Sequence, residues 1–213
     1  MRDSKVETWR PHLRHEQALW VNGALWVAGI DEAGRGALAG PVAAAAVILP
    51  QIPDLTRALK GVRDSKLMTP RQRQIWARVV QDQAVSWAIG MASAGEIDAL
   101  GILPATQLAA ERALERLVVR PDHLLLDYLH LPQVPLPQTA LVKGDRISLS
   151  IAAASVLAKT GRDALLQEYD QQYPGYGFAI HKGYGTASHR AAIAALGPCP
   201  IHRLTFAPFV VAA

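Results

Sequence analysis

Short apolar runs separated by polar, glycine- and proline-containing turns dominate the hydrophobic pattern of this chain. The run at 24–30 stops at an acidic pair, and the run at 42–49 is bounded by Pro41 and Pro50. Buried strands typically read as such runs of four to eight apolar residues, often rich in β-branched side chains. The pattern therefore predicts five strands, at 24–30, 42–49, 84–91, 123–126 and 140–142, although the alanines of 42–49 would also suit a helix.

Helical periodicity and cap residues fill the intervals between these strands. Thr69 followed by Pro70 is a helix-start signal, and Gly197-Pro198 is a stop signal. The predicted helices are 70–81, 95–100, 104–119, 148–173 and 187–196, with a polar leader at 1–23 that is helical near 15–20 and a loop with one helical turn at 51–66. Alternating strands and helices predict an α/β fold, with a leader at 1–23 and one domain at 24–213 that has a helical C-terminal portion.

Composition narrows the class of protein. Half of the 213 residues are hydrophobic and 19% are charged, which excludes a disordered polyelectrolyte. No apolar run approaches the roughly 18 residues of a membrane span, and no apolar segment follows the charged first residues as in a signal peptide. The single Cys199 cannot form an internal disulfide, so we expect a cytoplasmic protein. The net charge of +4 favours a polyanionic partner, but only weakly.

Carboxylates stand at the ends of predicted elements. Asp31 and Glu32 close the first strand, Asp127 closes the fourth, and Asp145 precedes the longest helix. If the first and fourth strands are parallel, Asp31 and Asp127 share one edge of the sheet, where α/β folds bind ligands. Converging carboxylates repel one another unless they hold a hard cation, and oxygen ligands suit Mg²⁺ or Mn²⁺. Two such ions about 4 Å apart catalyse phosphodiester hydrolysis.

The glycines at 34 and 36 admit a different hypothesis. Gly34-x-Gly36-x-x-Ala39 fits a loose dinucleotide-binding fingerprint. That fingerprint requires a helix directly after the turn, whereas Pro41 and a β-branched run follow here. A nicotinamide-dependent oxidoreductase is therefore the weakest of the alternatives.

The whole set of motifs resembles bacterial ribonuclease HII. The resemblance covers 28–206 in family order: the segment 28–36 (AGIDEAGRG) with 38–42 (LAGPV), 64–67 (DSKL), 148–159 (SLSIAAASVLAK) with Arg162-Asp163, 175–178 (GYGF), 181–186 (HKGYGT), and 200–203 (PIHR) with Phe206. The family usually has glycine after the third carboxylate, whereas here Tyr128 follows Asp127.

The resemblance implies a ribonuclease H-like mixed sheet flanked by helices, and endonucleolytic cleavage of RNA in RNA–DNA hybrids and of duplex DNA 5′ of single embedded ribonucleotides. It assigns the metal-binding, catalytic role to Asp31, Glu32, Asp127 and Asp145. It makes Gly34, Arg35 and Gly36 the loop that reads the ribose 2′-hydroxyl, which is what distinguishes RNA from DNA. It makes Tyr184 a reader of the ribonucleotide–DNA junction.

Lysines and partners complete the hypothesis. Lys66, Lys143 and Lys182, with Arg35, are candidates for contacts to phosphates, which position a duplex without reading its sequence. Asp163 is expected to be structural. We expect a monomer with no membrane contact, and the segment 206–213 shows no convincing sliding-clamp-binding peptide.

Two alternatives stay open beside the oxidoreductase. One is the sister family ribonuclease HIII, although the leader is short for its N-terminal substrate-binding domain. The other is a hybrid-binding module without catalysis, against which the four intact acids speak.

Overall fold

A mixed five-stranded sheet forms the centre of the protein in this computed structural model, which describes residues 10–209. The strands are β1 Val27–Ala33, β2 Val42–Ile48, β3 Ser86–Ala92, β4 His123–Asp127 and β5 Gln138–Leu141. Their order across the sheet is β3-β2-β1-β4-β5. Strand β1 is antiparallel to β2 and parallel to β4, and β5 is parallel to β4. The predicted ribonuclease H-like mixed sheet is therefore confirmed.

Helices cover both faces of this sheet. They are α1 Arg14–Val21, α2 Leu55–Ala58, α3 Pro70–Gln83, α4 Ala94–Leu100, α5 Ile102–Glu115, α6 Gly144–Ile147, α7 Leu149–Gln172, α8 Phe178–His181 and α9 Ala187–Leu196, with a 3₁₀ turn at Ser65–Leu67. All seven residues of β2 are buried, because α7 lies on one face of the sheet and α5 on the other. Small alanines in β2 let both helices approach closely. None of the helices within residues 10–209 is long and apolar enough to cross a membrane.

A close approach between β1 and α7 positions the site. A Cβ atom on Gly29 would lie 2.2 Å from the backbone carbon of Ser150, so only glycine fits where the first turn of α7 crosses the strand. Ser148 caps α7 by accepting a hydrogen bond from the backbone N–H of Ile151. Buried Glu16 of α1 ties the leader to the same turn, because its Oε1 accepts from the hydroxyls of Ser148 and Ser150.

The structure corrects several predicted boundaries. The first strand begins at Val27 rather than at 24 and runs through Ala33, so the acidic pair lies within the strand instead of after it. The helix predicted at 104–119 spans Ile102–Glu115. Asp145 precedes the longest helix as expected, and it lies in an additional short helix, α6. The predicted helix near 15–20 is confirmed as α1, whereas the parts of the predicted leader at 1–9 and of the predicted domain at 210–213 lie outside the described residues.

Candidate active site

Three carboxylates meet at the C-terminal edge of the parallel pair β1 and β4. The register pairs Ile30 with Leu126, so Asp31 and Asp127 follow at neighbouring positions. Asp145 reaches the same point from α6, just after β5. One oxygen from each of these three carboxylates lies within 4.8 Å of the others. The placement predicted for Asp31 and Asp127 from parallel strands is what the structure shows.

Backbone N–H groups hold two of these side chains. Asp31 Oδ1 accepts a hydrogen bond from the backbone N–H of Glu32 at 2.7 Å. Asp127 Oδ1 accepts one from the backbone N–H of Gly144 at 2.8 Å, which ties the end of β4 to the first residue of α6. The latter bond brings Asp145 into the cluster, because it is the next residue of that helix.

The cluster disfavours its own negative charge. Burial, then repulsion from Glu32, raises the pKa of Asp31 well above its ordinary value. Burial, with repulsion from Asp64 and Asp127, raises the pKa of Asp145 to about 6. Burial alone would lower the pKa of Lys66, but the surrounding carboxylates outweigh it and raise that pKa. Converging carboxylate oxygens whose negative charges repel one another fit a hard divalent cation.

Glu32 stands beside this cluster rather than inside the group of three. Its Oε1 accepts a hydrogen bond from Arg35 Nη1 at 3.2 Å. Its Oε2 is buried and has no hydrogen-bond partner within the described residues. Burial raises the pKa of Glu32, and the Arg35 guanidinium lowers it in part. The predicted role of Glu32 as a metal ligand thus stays a prediction, with one free oxygen available for it.

Two buried arginines fix the loop that follows β1. Arg203 donates to the carbonyls of Gly34, Arg35 and Gly40 at 2.7, 2.8 and 3.0 Å. Arg162 of α7 donates to the carbonyls of Ala39 and Pro41, and to that of Lys182 in the C-terminal portion. Carbonyl oxygens therefore compensate both guanidinium groups, which is unusual for fully buried charges. These hydrogen bonds fix the loop that carries Gly34 and Gly36, while Gly36 itself remains exposed.

The C-terminal portion closes one side of the loop. Ala37 pairs with Tyr184 in an isolated bridge, and the Tyr184 ring lies 5.4 Å from Lys159 Nζ. We call the resulting space the glycine-loop cleft, which has a volume of about 430 Å³. It is lined by Glu32, Ala33, Gly34, Arg35, Gly36, Ser65, Lys66, Lys159 and Tyr184. The predicted 2′-hydroxyl loop and the predicted junction reader therefore face one cavity.

A second space is lined by two of the three clustered carboxylates, Asp127 and Asp145. We call it the Tyr128 cleft; it has a volume of about 300 Å³ and is lined by Asp64, Lys66, Asp127, Tyr128, Val142, Lys143, Asp145 and Arg146. Lys66 borders both clefts, and Lys143 borders this one. Lys182 borders neither of them; its Nζ donates to the carbonyl of Ala179 at 2.7 Å. Asp163 is paired with Lys159 and Arg73, in line with the structural role expected for it.

Sequence reasoning missed three residues that shape the site. The supporting roles of Arg162 and Arg203 were not predicted. The available signal was the position of Arg162, a charged residue on the buried side of a helix whose other buried residues are mostly apolar. Asp64 is also buried; it accepts a hydrogen bond from the backbone N–H of Lys66 and pairs with Arg146 at 3.2 Å. Asp64 thereby orients the one lysine that borders both clefts.

The dinucleotide-binding alternative is wrong for this chain. The turn after β1 leads into β2, which runs antiparallel to β1, and not into a helix. Phosphate binding by such a fingerprint depends on the helix N-terminus that would follow the glycines. The glycines here serve a tight, arginine-supported loop instead.

Comparisons with known proteins agree with this geometry. Residues 28–209 match the family model for ribonuclease HII. The chain is 55% identical over 199 residues to ribonuclease HII of Synechococcus sp. (strain JA-3-3Ab), covering 93% of this chain and 89% of that protein. It is 51% identical to ribonuclease HII of Thermus thermophilus, covering 91% of each.

Solved structures show the same fold. The ribonuclease H2 of Pyrococcus horikoshii superposes with a TM-score of 0.71 at 24% identity, covering 86% of this chain and 95% of that one. Ribonuclease HII in its complex with PCNA from Archaeoglobus fulgidus gives a TM-score of 0.70 at 25% identity, covering 85% and 95%. The chain therefore belongs to the ribonuclease HII family and is a ribonuclease H hydrolase.

Proposed function

We propose that this chain nicks duplex DNA on the 5′ side of single embedded ribonucleotides, and also cuts the RNA strand of RNA–DNA hybrids, in a reaction that depends on Mg²⁺ or Mn²⁺. The observation that carries the proposal is that Glu32, the chain neighbour of the clustered Asp31, lines the glycine-loop cleft. The carboxylate cluster supplies a place for cations, and the cleft supplies a narrow backbone surface for a ribose. A nuclease specific for ribonucleotides needs a cation site and a ribose-binding surface within one nucleotide's length of each other.

Asp31, Asp127 and Asp145 would hold the divalent cations, with the free Oε2 of Glu32 as a further ligand. Bound there, the cations would supply an activated water and charge stabilisation at the phosphate. Asp31 lies at the centre of the proposed set, because it neighbours Glu32 in sequence and Asp127 across the parallel pair. Hydrolysis on the 5′ side of the ribonucleotide leaves a 3′-hydroxyl and a 5′-phosphate.

The chain's own groups select the sugar. Arg162 and Arg203 hold carbonyls of the loop in which Gly34 and Gly36 line the glycine-loop cleft. A ribose 2′-hydroxyl is both a donor and an acceptor, so backbone groups can read it. Tyr184 also lines this cleft, and its ring would pack against the sugar of the next nucleotide. Lys66 and Arg35 would position phosphates.

The test uses a 5′-labelled DNA duplex with one ribonucleotide, an all-DNA duplex and a continuous RNA–DNA hybrid, each with Mn²⁺ or Mg²⁺ and then with a chelator. We expect one metal-dependent nick 5′ of the ribonucleotide and none in the all-DNA duplex. Asp31→Asn should lose at least about 100-fold in rate, because it removes a charged ligand from the cluster. Glu115→Gln, an exposed change outside both clefts, should cut like the wild type.

Other outcomes separate the alternatives. Cutting of the continuous hybrid without a nick at a single ribonucleotide would favour a ribonuclease HIII-like specificity. Binding of both substrates without cutting in either metal would favour the binding-module alternative. Unchanged, metal-dependent cutting by Asp31→Asn would overturn the proposed metal site. The sliding-clamp partner is not part of the proposal, because the segment 206–213 lies partly outside the described residues.

A further inference from the structure

Tyr128 has an unfavourable backbone conformation, and its mostly exposed side chain makes little packing contact that would compensate for the strain. Its φ is +54°, in the left-handed region that bulky side chains rarely adopt, and its backbone N–H donates to the carbonyl of Leu141 at 3.1 Å. That hydrogen bond extends the β4–β5 pairing and fixes the residue. The side chain is 78% exposed. Strain of this kind is found chiefly where function requires it.

The surroundings of Tyr128 match a nucleic acid strand. The Tyr128 cleft combines the ring with the cations Lys66, Lys143 and Arg146, and the carboxylates that line it are Asp64, Asp127 and Asp145. Lys143 also has a left-handed backbone, with φ +56°, and it is exposed. An exposed aromatic ring among cations is the combination with which proteins hold nucleic acid strands, because the ring stacks on bases and the cations meet phosphates.

The part of the substrate that reaches the Tyr128 ring follows from the proposed function. The ribonucleotide lies in the glycine-loop cleft, and its own 5′-phosphate lies at the carboxylates. Two of those carboxylates, Asp127 and Asp145, line the Tyr128 cleft and not the glycine-loop cleft, and Lys66 borders both spaces. The strand therefore continues into the Tyr128 cleft in its 5′ direction, with the deoxynucleotide that becomes the new 3′ end.

We propose that Tyr128 stacks on the deoxynucleotide immediately upstream of the cleaved phosphate and so helps to place that phosphate on the metal site. This inference rests on the proposed function, because it takes the direction of the strand from it. It adds a substrate contact on the upstream side, which the glycine loop and Tyr184 do not provide. Tyr128 is thus a substrate-contacting residue, and the base is the group that it contacts.

The experiment compares duplexes with one ribonucleotide that carry either a normal base or an abasic site immediately upstream of the cleaved phosphate. A third duplex carries the abasic site two nucleotides downstream of the ribonucleotide. Wild type, Tyr128→Phe, Tyr128→Ala and Tyr128→Gly are compared, with Val118→Ala as a matched control. Val118 is 93% exposed and lies in the segment before the opposite, N-terminal end of β4.

We expect Tyr128→Ala and Tyr128→Gly to lose about 10-fold in kcat/KM on the normal duplex, which is within the range for one base–aromatic stack. Tyr128→Phe and Val118→Ala should keep the wild-type value. The upstream abasic site should slow the wild type by a similar factor and leave Tyr128→Ala unaffected, because the lost base and the lost ring belong to one contact. The downstream abasic site should affect the wild type and Tyr128→Ala equally.

Thermal unfolding separates this role from a structural one. Glycine tolerates φ +54° without strain, so Tyr128→Gly should melt at or above the wild-type temperature while cutting more slowly. The increase in melting temperature on adding Mn²⁺ should be the same in all variants. A lower melting temperature with a weaker Mn²⁺ response in Tyr128→Gly would show that the side chain supports Asp127 and would overturn the inference.

Two further outcomes are distinguishable from each other. If the wild type nicks the duplex and Tyr128→Ala does so with the same kcat/KM, or loses equally with and without the upstream base, the stacking inference is wrong and the proposed function stands. If the wild type nicks none of the substrates in either metal, the proposed function is wrong, and the inference fails with it.

Discussion

His202 Nε2 donates a hydrogen bond to His189 Nε2, with 3.1 Å between the two nitrogens. The direction follows from the neighbours. His189 Nδ1 lies 3.0 Å from the carbonyl oxygen of Tyr184, which can only accept, so His189 carries its proton on Nδ1. His202 Nδ1 in turn accepts from the backbone N–H of Cys199. Both rings are buried and neutral, and this pair supports the backbone of the predicted junction reader.

We predict that protonation of this pair destabilises the protein at acid pH. Burial lowers the pKa of His189 to about 4 and also lowers that of His202. A lowered pKa in the folded state contributes stability above the ordinary value near 6.5, and this stability is lost as pH falls toward 4. His189 should account for a loss of about 2 kcal/mol in the free energy of unfolding over that window.

Denaturant unfolding at a series of pH values between 4 and 8 measures this effect. His189→Gln should flatten the curve relative to the wild type, whereas His130→Gln, an exposed change, should leave its shape intact. Comparing variants cancels the contributions of Asp31, Glu32 and Asp145, whose raised pKa values act in the opposite direction. Parallel curves for the wild type and His189→Gln would contradict the prediction.

Gly34 and Gly36 should respond differently to alanine. Gly34 has φ +90°, and a Cβ atom there would lie 2.0 Å from Arg162 Nε. Gly34→Ala should therefore lower the free energy of unfolding by about 2–4 kcal/mol, because it strains the backbone and displaces a buried, hydrogen-bonded arginine. At Gly36 nothing lies within 4 Å of a Cβ and the φ is not in the left-handed region, so Gly36→Ala should fold normally.

The activity of Gly36→Ala then tests the sugar reader without the complication of misfolding. A methyl group at this exposed position narrows the glycine-loop cleft, so we expect about a 10-fold or greater loss of cutting at a single ribonucleotide. Mn²⁺ should still raise its melting temperature as in the wild type. Full activity in Gly36→Ala would show that the ribose does not approach the backbone at this glycine.

The sheet could be predicted largely because its strands are short and nearly all apolar. The helix at Pro70–Gln83 was also predictable, since Thr69 forms a capping box with Gln72. The start of β1 was misplaced by three residues, because local hydrophobicity at 24–26 does not reveal where pairing with β2 and β4 begins. Asp31 and Glu32 lie inside that strand for the same reason: pairing with β2 satisfies their backbone groups, and this long-range gain outweighs the local preference of acids for turns.

The site was predictable to the extent that it depends on strand ends. The proximity of Asp31 and Asp127 follows from a parallel pair of strands, whereas only the family resemblance assigned Asp145 to the same site. The arginine support could not be predicted, because it depends on residues more than 100 positions away from the loop, such as Arg203 to Gly34. The two separate clefts are likewise a consequence of how α6 and the C-terminal portion pack, and no spacing in the sequence encodes that.

Removing one charge from the carboxylate cluster should stabilise the metal-free protein. The pKa of Asp145 is raised to about 6, so its stability contribution is present below the ordinary value of 3.8 and is lost as pH rises through 6. In chelator at pH 8, Asp145→Asn should gain about 1–3 kcal/mol in the free energy of unfolding, and at pH 4 it should match the wild type. The increase in its free energy of unfolding on adding Mn²⁺ should be smaller than in the wild type, since a ligand is lost.

Chemical unfolding with chelator and with Mn²⁺, at pH 4 and pH 8, gives the four values needed. Glu115→Gln is the control, since it neutralises an exposed carboxylate away from the cluster. If Asp145→Asn were less stable than the wild type in chelator at pH 8, the carboxylate would be a structural anchor, and its place in an electrostatically strained metal site would be wrong.

Arg203 should be irreplaceable even by lysine. The burial of Arg203 and the nearby Arg162 lower its pKa to about 9, so it remains charged at neutral pH. Its planar group reaches three carbonyls at once, including those of Gly34 and Arg35, and a lysine ammonium has neither that reach nor that geometry. Arg203→Lys should lose about 2–4 kcal/mol in the free energy of unfolding, because buried carbonyls lose their donors.

The activity of Arg203→Lys is measured at a temperature where the variant remains folded. It should cut at a single ribonucleotide more slowly and keep its Mn²⁺-induced increase in melting temperature, because the loop and not the carboxylate cluster has loosened. Arg120→Lys, an exposed change, should leave both properties unaltered. Wild-type cutting by folded Arg203→Lys would show that the loop keeps its geometry without this support.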